Sequence, residues 1–549
     1  MTGGQRTRIL ILGGGFAGTS AAQELARLTK RDPSVEVHLA SNENYFVFQP
    51  LLPEIVSCSI ESGHILSPIR QLCRGVHFHC ATITEVDRAG QCVTIIGSDE
   101  RRRYTLHYDH LIWCLGLRMD VSRVPGMAAH ALPIKTLGDA FHLRNHVLRR
   151  FEQAELEADE SLRKKALTFV AVGGGFSGVE TIAAMNDMAK SVLPFYPRAQ
   201  AMGARMVLAH SGARVLQELE PGLGRFAHAK LQERGVEVRL NTTVCEATAE
   251  GVTFSTGETI SAGTVVCTVG NAPHPLVGTA GLPQEGGRIL VDGFLRVRGT
   301  DNLWAIGDAA LIPDGEGGGY CPPTAQHAVR EGRQCARNVL AAVRGRPLRA
   351  FRFGGIGQLA SVGRHCGVAR LWGWNISGFP AWWLWRSVYL SKLPSLRCKV
   401  LVGLDWILEA LFPRDITMIE LQRTEKLERA HFRAGDTIVR QGEFADRFYI
   451  IESGEVEIVQ QEGEKPEKRL GVRTAGDSFG ELAILNHIPR TATVRCLTPV
   501  NVVMFSRADF HALLGSFHSF RAHILDQVSH LETKAVGSRA EGSNADGDE

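Results

Sequence analysis

The chain has 549 residues, 44% of them hydrophobic, and 61 basic against 58 acidic side chains give a net charge of +3. That length exceeds what one hydrophobic core serves and predicts several domains. The composition excludes a disordered chain, and the near balance of charge gives no case for a nucleic-acid partner. Twelve cysteines are scattered without CxxC or metal-ligand spacing, which predicts reduced thiols in a cytosolic setting and no metal.

The first apolar run, RILIL, leads directly into glycines. This predicts a buried strand rather than an export signal. RILILGGGFAG sets Gly13, Gly15 and Gly18 as GxGxxG, with Phe16 and Ala17 inside the motif and an Ala-rich helix over 19–28. Gly13 permits the tight turn, Gly15 lets a pyrophosphate approach the backbone, and Gly18 lets helix pack on strand. An acid is expected at the end of the next strand to hold a ribose, but Ser41 stands there with Glu43 two residues on. YDHLIWCLG, ending at Gly116, reads as the strand and turn that leave this unit.

The fingerprint recurs in LTFVAVGGGFSGVE as Gly173, Gly175 and Gly178. Two such units imply two dinucleotides: FAD in the first and a nicotinamide cofactor in the second. RMVLAHSG puts His210 at the second acid position, and Gly270 is a further candidate contact to this cofactor. TDNLWAIGDAA (300–310) is an apolar strand ending in Gly307 and Asp308, placed to meet the flavin's ribityl chain and phosphate. Glu180 falls in the first turn of the second glycine helix, where it can face both ring systems or simply favour the helix dipole.

Together these units resemble the two-dinucleotide-domain flavoproteins. NENYFVFQPLLPEI (42–55), PPTAQHAVREG (322–332) and GFPAWWLWRSVYL (378–390) resemble the type II NADH dehydrogenases, non-pumping NADH:quinone oxidoreductases, over residues 6–420. The resemblance implies two Rossmann-like domains, bound FAD, and hydride transfer from nicotinamide C4 to flavin N5. NADH is favoured over NADPH, and a membrane quinone is the acceptor. It implies that Glu180 sits near both substrates. It also implies that Gln326, with Ala325, begins a helix facing the flavin where quinone approaches, and that Gln49 contacts FAD. The chain departs from the pattern at His210, where Glu is common, and at Arg330 and Glu331, where a second Gln is frequent.

Two alternatives stay open. A sulfide:quinone-type reductase needs two cysteines at the flavin, and Cys321 with Cys114 or Cys267 is the candidate pair. A cyclic-nucleotide-responsive scaffold would hold flavin without turnover, and Ser41 and His210 keep that reading alive. A disulfide reductase is excluded, since Cys58, Cys73 and Cys80 lack the C-x4-C spacing.

Five of eight tryptophans lie between Trp372 and Trp385, in an uncharged stretch flanked by Arg370 and Arg386. Its 15 residues, 371–385, are too few to cross a bilayer but suit a membrane interface. In KVLVGLDWILEALF (399–412), Val400, Leu401, Leu404, Ile407, Leu408 and Leu411 form one helical stripe, with Asp405 and Glu409 off it. Arg386, Lys392, Arg397 and Lys399 can meet anionic lipid. This predicts peripheral attachment to the cytoplasmic face of the cell (inner) membrane. The competing reading packs the stripe on the protein's own core.

After Pro413 the pattern changes to short β-rich runs broken at Gly435, Gly442 and Gly454, which predicts a small β-barrel or jelly roll. FGELAILNHIPRTATVRC (479–496) resembles the ligand turn of cyclic-nucleotide-binding domains. The resemblance implies that Gly480, Glu481 and Leu482 form the turn, Glu481 meets the ribose hydroxyl, and Arg490 pairs with the cyclic phosphate. Thr491 can reach a guanine amine, so both cAMP and cGMP fit. A helix with Phe510, Leu513, Leu514, Phe517 and Phe520 would cap the base and transmit binding to the redox part. A degenerate packing or dimerisation module is the alternative, and a homodimer is compatible with either reading.

The expected domains are 1–160 and 285–350 for FAD, 161–284 for NADH, 351–420 for the membrane-associating region and 421–535 for the cyclic nucleotide. A disordered tail, 536–549, closes the chain. The fold class is α/β, with an all-β jelly roll and flanking helices appended.

Overall fold

A computed structural model describes residues 6–97, 102–315, 318–418, 428–443, 445, 447–461, 466–485, 488–506 and 510. Residues 1–419 and 420–549 form two compact units.

In the first unit, strand Thr7–Leu12 runs parallel to Val35–Ser41 on one side and His110–Trp113 on the other. Strand Leu303–Ala305 adds in parallel beside His110–Trp113, so a late segment completes an early sheet. Ile9, Leu10, Ile11 and Leu12 are all buried, as expected of a strand covered on both faces. Helix Phe16–Thr29 follows the first turn and Phe176–Val192 the second. The second sheet holds five parallel strands centred on Thr168–Val172, every residue of which is buried.

A three-stranded antiparallel sheet, Gly357–Ser361, Gly367–Leu371 and Trp374–Gly378, leads into helices Phe379–Lys392 and Leu396–Leu411. The uncharged tryptophan stretch is therefore a strand plus the start of a helix. Among the described residues no helix is long and apolar enough to cross a membrane.

Among its described residues the second unit has two four-stranded antiparallel sheets and the short helix Glu481–Leu485. Val439, Ile451, Val456, Phe479, Val494, Val500 and Val502 are buried in its core. Phe510 packs its ring 4.6 Å from that of Phe448. Leu513, Leu514, Phe517, Phe520 and the tail 536–549 lie outside the described residues.

Candidate functional site

The two glycine turns have the same geometry. Gly13 and Gly173 adopt φ of +112° and +116°, a region costly for any side chain. A Cβ on Gly18 would lie 1.9 Å from Gly13 O, and one on Gly178 would lie 1.8 Å from Gly173 O. Nothing stands within 4 Å of the position a Cβ would take on Gly15, which leaves room above the helix start. Neither glycine helix has a side-chain cap, so its first N–H groups are offered to a ligand. These cradles fit dinucleotide pyrophosphates.

The departures in sequence have local reasons. Ser41 is buried beneath Gly14, whose Cβ would meet Ser41 Oγ at 2.8 Å. His210 Nδ1 accepts the Gly174 N–H at 3.2 Å, and burial holds the ring below its ordinary pKa. His210 thus braces the loop with a neutral ring. An acid that spacing does not select, Glu218, stands beside the turn: a Cβ on Gly175 would lie 3.7 Å from its Oε1. Gly270, at φ +92°, passes so close to Asp120 that a Cβ would come 2.2 Å from its carbonyl oxygen.

On the flavin side, Phe16 packs edge-on against Phe46 and Phe48, with ring centroids 4.9 and 5.7 Å away. Ala17 meets Gly307, where a Cβ would stand 3.1 Å from that of Ala17. Gly116, at φ +68°, has open space over it, and Gln49 is exposed at the start of a short turn. Arg288 Nε donates to the Asp308 carbonyl at 3.0 Å. Glu331, which spacing marks only as a departure, accepts the Gly307 N–H at 2.8 Å. Burial pushes its carboxyl up to about 7. Ala325 opens helix Ala325–Val343. The Gln326 amide is engaged at both ends: Nε2 donates to Gly357 O at 3.1 Å, and Oε1 accepts the Ile356 N–H at 3.2 Å.

Glu180 is buried, and its Oε1 accepts the Ser361 N–H at 2.9 Å and the Trp385 Nε1–H at 3.1 Å. Burial pushes its carboxyl up to about 8; the two donors oppose this, and nearby Glu54 adds to it. Trp385 also packs on Tyr389 at 4.6 Å, and Tyr389 reaches Phe48 at 5.8 Å. This corrects the interface reading of the whole tryptophan cluster. Trp382 and Trp385 are buried, while Trp372, Trp374 and Trp383 are exposed. A helix has two faces, and the aromatic run populates both.

The helical stripe instead faces mostly outward, with Leu401 half-buried. Val400, Leu404, Ile407, Leu408 and Leu411 are exposed, Leu411 at 71%. Asp405 and Glu409 face the protein: Asp405 meets His64 Nδ1 at 2.6 Å, and Glu409 takes Arg386 at 2.7 Å and Arg414 at 2.8 Å. The core-packing reading fails for the stripe, because the acids face inward.

All twelve cysteines are free thiols. Cys114 lies against Leu12 O, Cys267 against Val269 O, and burial pushes Cys321 up to about 11. Among the described residues no sulfur contact joins Cys321 to either.

In the second unit, Gly480 adopts φ +96°, and a Cβ there would meet Arg490 Nη1 at 2.6 Å. Glu481 and Arg490 are both buried. Arg490 donates to Gly480 O at 3.0 Å and Arg447 O at 2.6 Å, while among the described residues Glu481 Oε2 has no hydrogen-bond partner. Burial raises the Glu481 carboxyl, opposed by a backbone bond and by Arg473 and Arg490. Leu482 is half-buried in the short helix Glu481–Leu485, and Thr491 O accepts from Gln460 Nε2 at 3.1 Å.

Comparison with known proteins matches these three regions. Residues 7–332 match the pyridine nucleotide-disulphide oxidoreductase family, 356–415 the NDH2 C-terminal domain and 429–517 the cyclic nucleotide-binding domain. A demethylphylloquinone reductase of Synechocystis is 32% identical, covering 74% of this chain and 97% of that protein. A type II NADH:quinone oxidoreductase of Mycobacterium tuberculosis is 30% identical, covering 75% and 89%. The structure of NDH2 from Plasmodium falciparum in complex with NADH superimposes with a TM-score of 0.70 at 21% identity, covering 75% of this chain and all of that one. The chain belongs to the pyridine nucleotide-disulphide oxidoreductases, among the type II NADH dehydrogenases, and carries a cyclic nucleotide-binding domain at its C-terminal side.

Proposed function

We propose that the chain oxidises NADH and reduces a membrane quinone without pumping protons, and that a cyclic nucleotide regulates the rate. The observation that carries the redox reading is Glu180, a buried acid on the second glycine helix held by the NDH2-type segments at Ser361 and Trp385.

Gly13, Gly15, Phe16, Ala17, Gly18, Ser41, Gln49, Gly116, Gly307, Asp308, Ala325 and Gln326 hold FAD. Gly173, Gly175, Gly178, His210 and Gly270 hold NADH. Flavin, when bound, supplies the two-electron relay between nicotinamide and quinone. The chain's own contribution is position and charge. Gln326 keeps the segment at 356–357 against the helix start that faces the flavin. Glu180, raised to about 8, presents a neutral carboxyl at pH 7 where two substrates meet. Glu218 beside Gly175 favours NADH, since a carboxylate there accepts from a ribose hydroxyl and repels a 2′-phosphate. Anaerobic bleaching of the flavin band by NADH, restored by a quinone pulse, is the expected result. A band that NADH leaves unchanged rejects the reading.

The exposed face of Val400, Leu404, Ile407, Leu408 and Leu411, together with exposed Trp383 on the preceding helix, seats the enzyme peripherally on the cytoplasmic side of the cell (inner) membrane. Burying such side chains contributes about 1.5–3 kcal/mol each.

In the second unit, Glu481 Oε2 is a buried acceptor with no donor among the described residues; a ribose 2′-OH supplies one, and Arg490 meets the cyclic phosphate. cAMP and cGMP both carry these groups. Couplings of about 1–3 kcal/mol translate into a several-fold change in NADH:quinone turnover. An unchanged rate at saturating cAMP and cGMP rejects the regulatory part.

A further inference from the structure

A second enclosed carboxyl stands near Glu180. Glu54 belongs to the short helix Leu52–Val56, and Trp406 Nε1 donates to its Oε2 at 3.3 Å. Helix Phe379–Lys392 serves both acids with consecutive residues: Trp385 reaches Glu180, and Arg386 reaches toward Glu54. The rings of Trp385 and Trp406 are 6.4 Å apart. Each acid therefore engages protein donors through one oxygen, Oε1 of Glu180 and Oε2 of Glu54. Among the described residues no donor reaches the other oxygen of either.

Two arginines and one further acid, Glu409, meet around Glu54. Glu409 takes both guanidinium groups, Arg386 at 2.7 Å and Arg414 at 2.8 Å. Arg386 approaches Glu54 only to 3.9 Å, beyond hydrogen-bond reach. Glu409 thus takes the closer ionic contacts, which favour its ionised form and leave Glu54 the more readily protonated of the two. Burial raises Glu54; Arg386 opposes this, Glu409 adds to it and Arg414 opposes it. Its side chain keeps 13% of its surface exposed.

We propose that Glu54 delivers a proton to a quinone oxygen as the quinone is reduced, an inference that rests on the NADH:quinone reading above. NADH gives up a hydride, whereas forming a hydroquinone takes two electrons and two protons, so one proton must come from water. At the transfer the Glu54 O–H bond breaks and an O–H bond forms on the quinone. The carboxylate is then reprotonated from solvent.

The test is Glu54→Gln in the full-length, flavin-loaded protein, assayed with a short-chain quinone and with ferricyanide, which takes electrons without protons. Quinone turnover should fall at least about tenfold further than ferricyanide turnover, and the alkaline limb of the quinone pH profile should vanish. Parallel loss with both acceptors, or an unmoved quinone rate and profile, overturns the assignment. Should the variant shed flavin, Glu54→Asp decides: a displaced limb supports the proposal and an unmoved one overturns it. A wild-type enzyme that NADH bleaches but quinone cannot reoxidise would instead overturn the underlying reading, and this proposal with it.

Discussion

Trp385 and Glu180 are joined by a 3.1 Å hydrogen bond across 205 residues of sequence, from the indole Nε1–H to the carboxyl Oε1. The bond ties a helix of the NDH2-type C-terminal region to the second glycine helix, Phe176–Val192, of which Glu180 is the fifth residue rather than a member of the first turn the spacing predicts. It gives an aromatic side chain from a greasy stretch a polar task inside the protein.

Glu180→Gln should lower NADH:quinone turnover about 100-fold with flavin retained. The same variant changes stability with pH. The folded-state value near 8 lies above the ordinary 4.5, so the folded form binds the proton more tightly. That stabilisation is full below about 4.5 and is lost as pH rises through 8. Relative to wild type, the Gln variant should therefore gain in Tm between pH 5 and 9, read by calorimetry.

Gly18→Ala places a methyl group where only 1.9 Å separates it from Gly13 O. Backbone must move, at about 1–3 kcal/mol. The expected outcome is protein with a reduced ratio of flavin absorbance to protein absorbance. Full flavin occupancy would contradict the turn geometry.

Glu218→Gln should raise the KM for NADH roughly tenfold while narrowing the preference over NADPH, since charged hydrogen bonds contribute about 1.5–3 kcal/mol. Steady-state kinetics with both cofactors checks this. Equal changes for the two would remove Glu218 from ribose recognition.

Arg490→Ala should weaken cAMP and cGMP binding by at least about tenfold, measured by calorimetry. Retained affinity would point to a site elsewhere in the second unit.

Ile407→Asp with Leu411→Asp should release the protein from anionic vesicles in a sedimentation assay. Both side chains are exposed, at 57% and 71%, so folding should tolerate the change.

What the sequence revealed follows from range. The glycine turns were legible because their constraint is local: Gly13 and Gly18 meet within six residues. Glu180, Glu481 and Arg490 stand out as candidates through their motifs. Glu54 was not, because its partner Trp406 is 352 residues away. Glu331 and Glu218 escaped for a related reason. Glu331 accepts from a turn in another segment and Glu218 stands beside one, and no periodicity records that. The tryptophan run misled in part, since composition gives no information on which helical face a ring occupies.

Trp382 and Trp385 point inward from the same short helix that shows Phe379 and Trp383 to the outside. Turning that helix about its own axis would disturb the Trp385 bond and the Arg386 contacts together. On the proposed membrane seat, a lipid surface gripping the outer rings would hold this rotation fixed and would couple that seat to the contacts around the two acids.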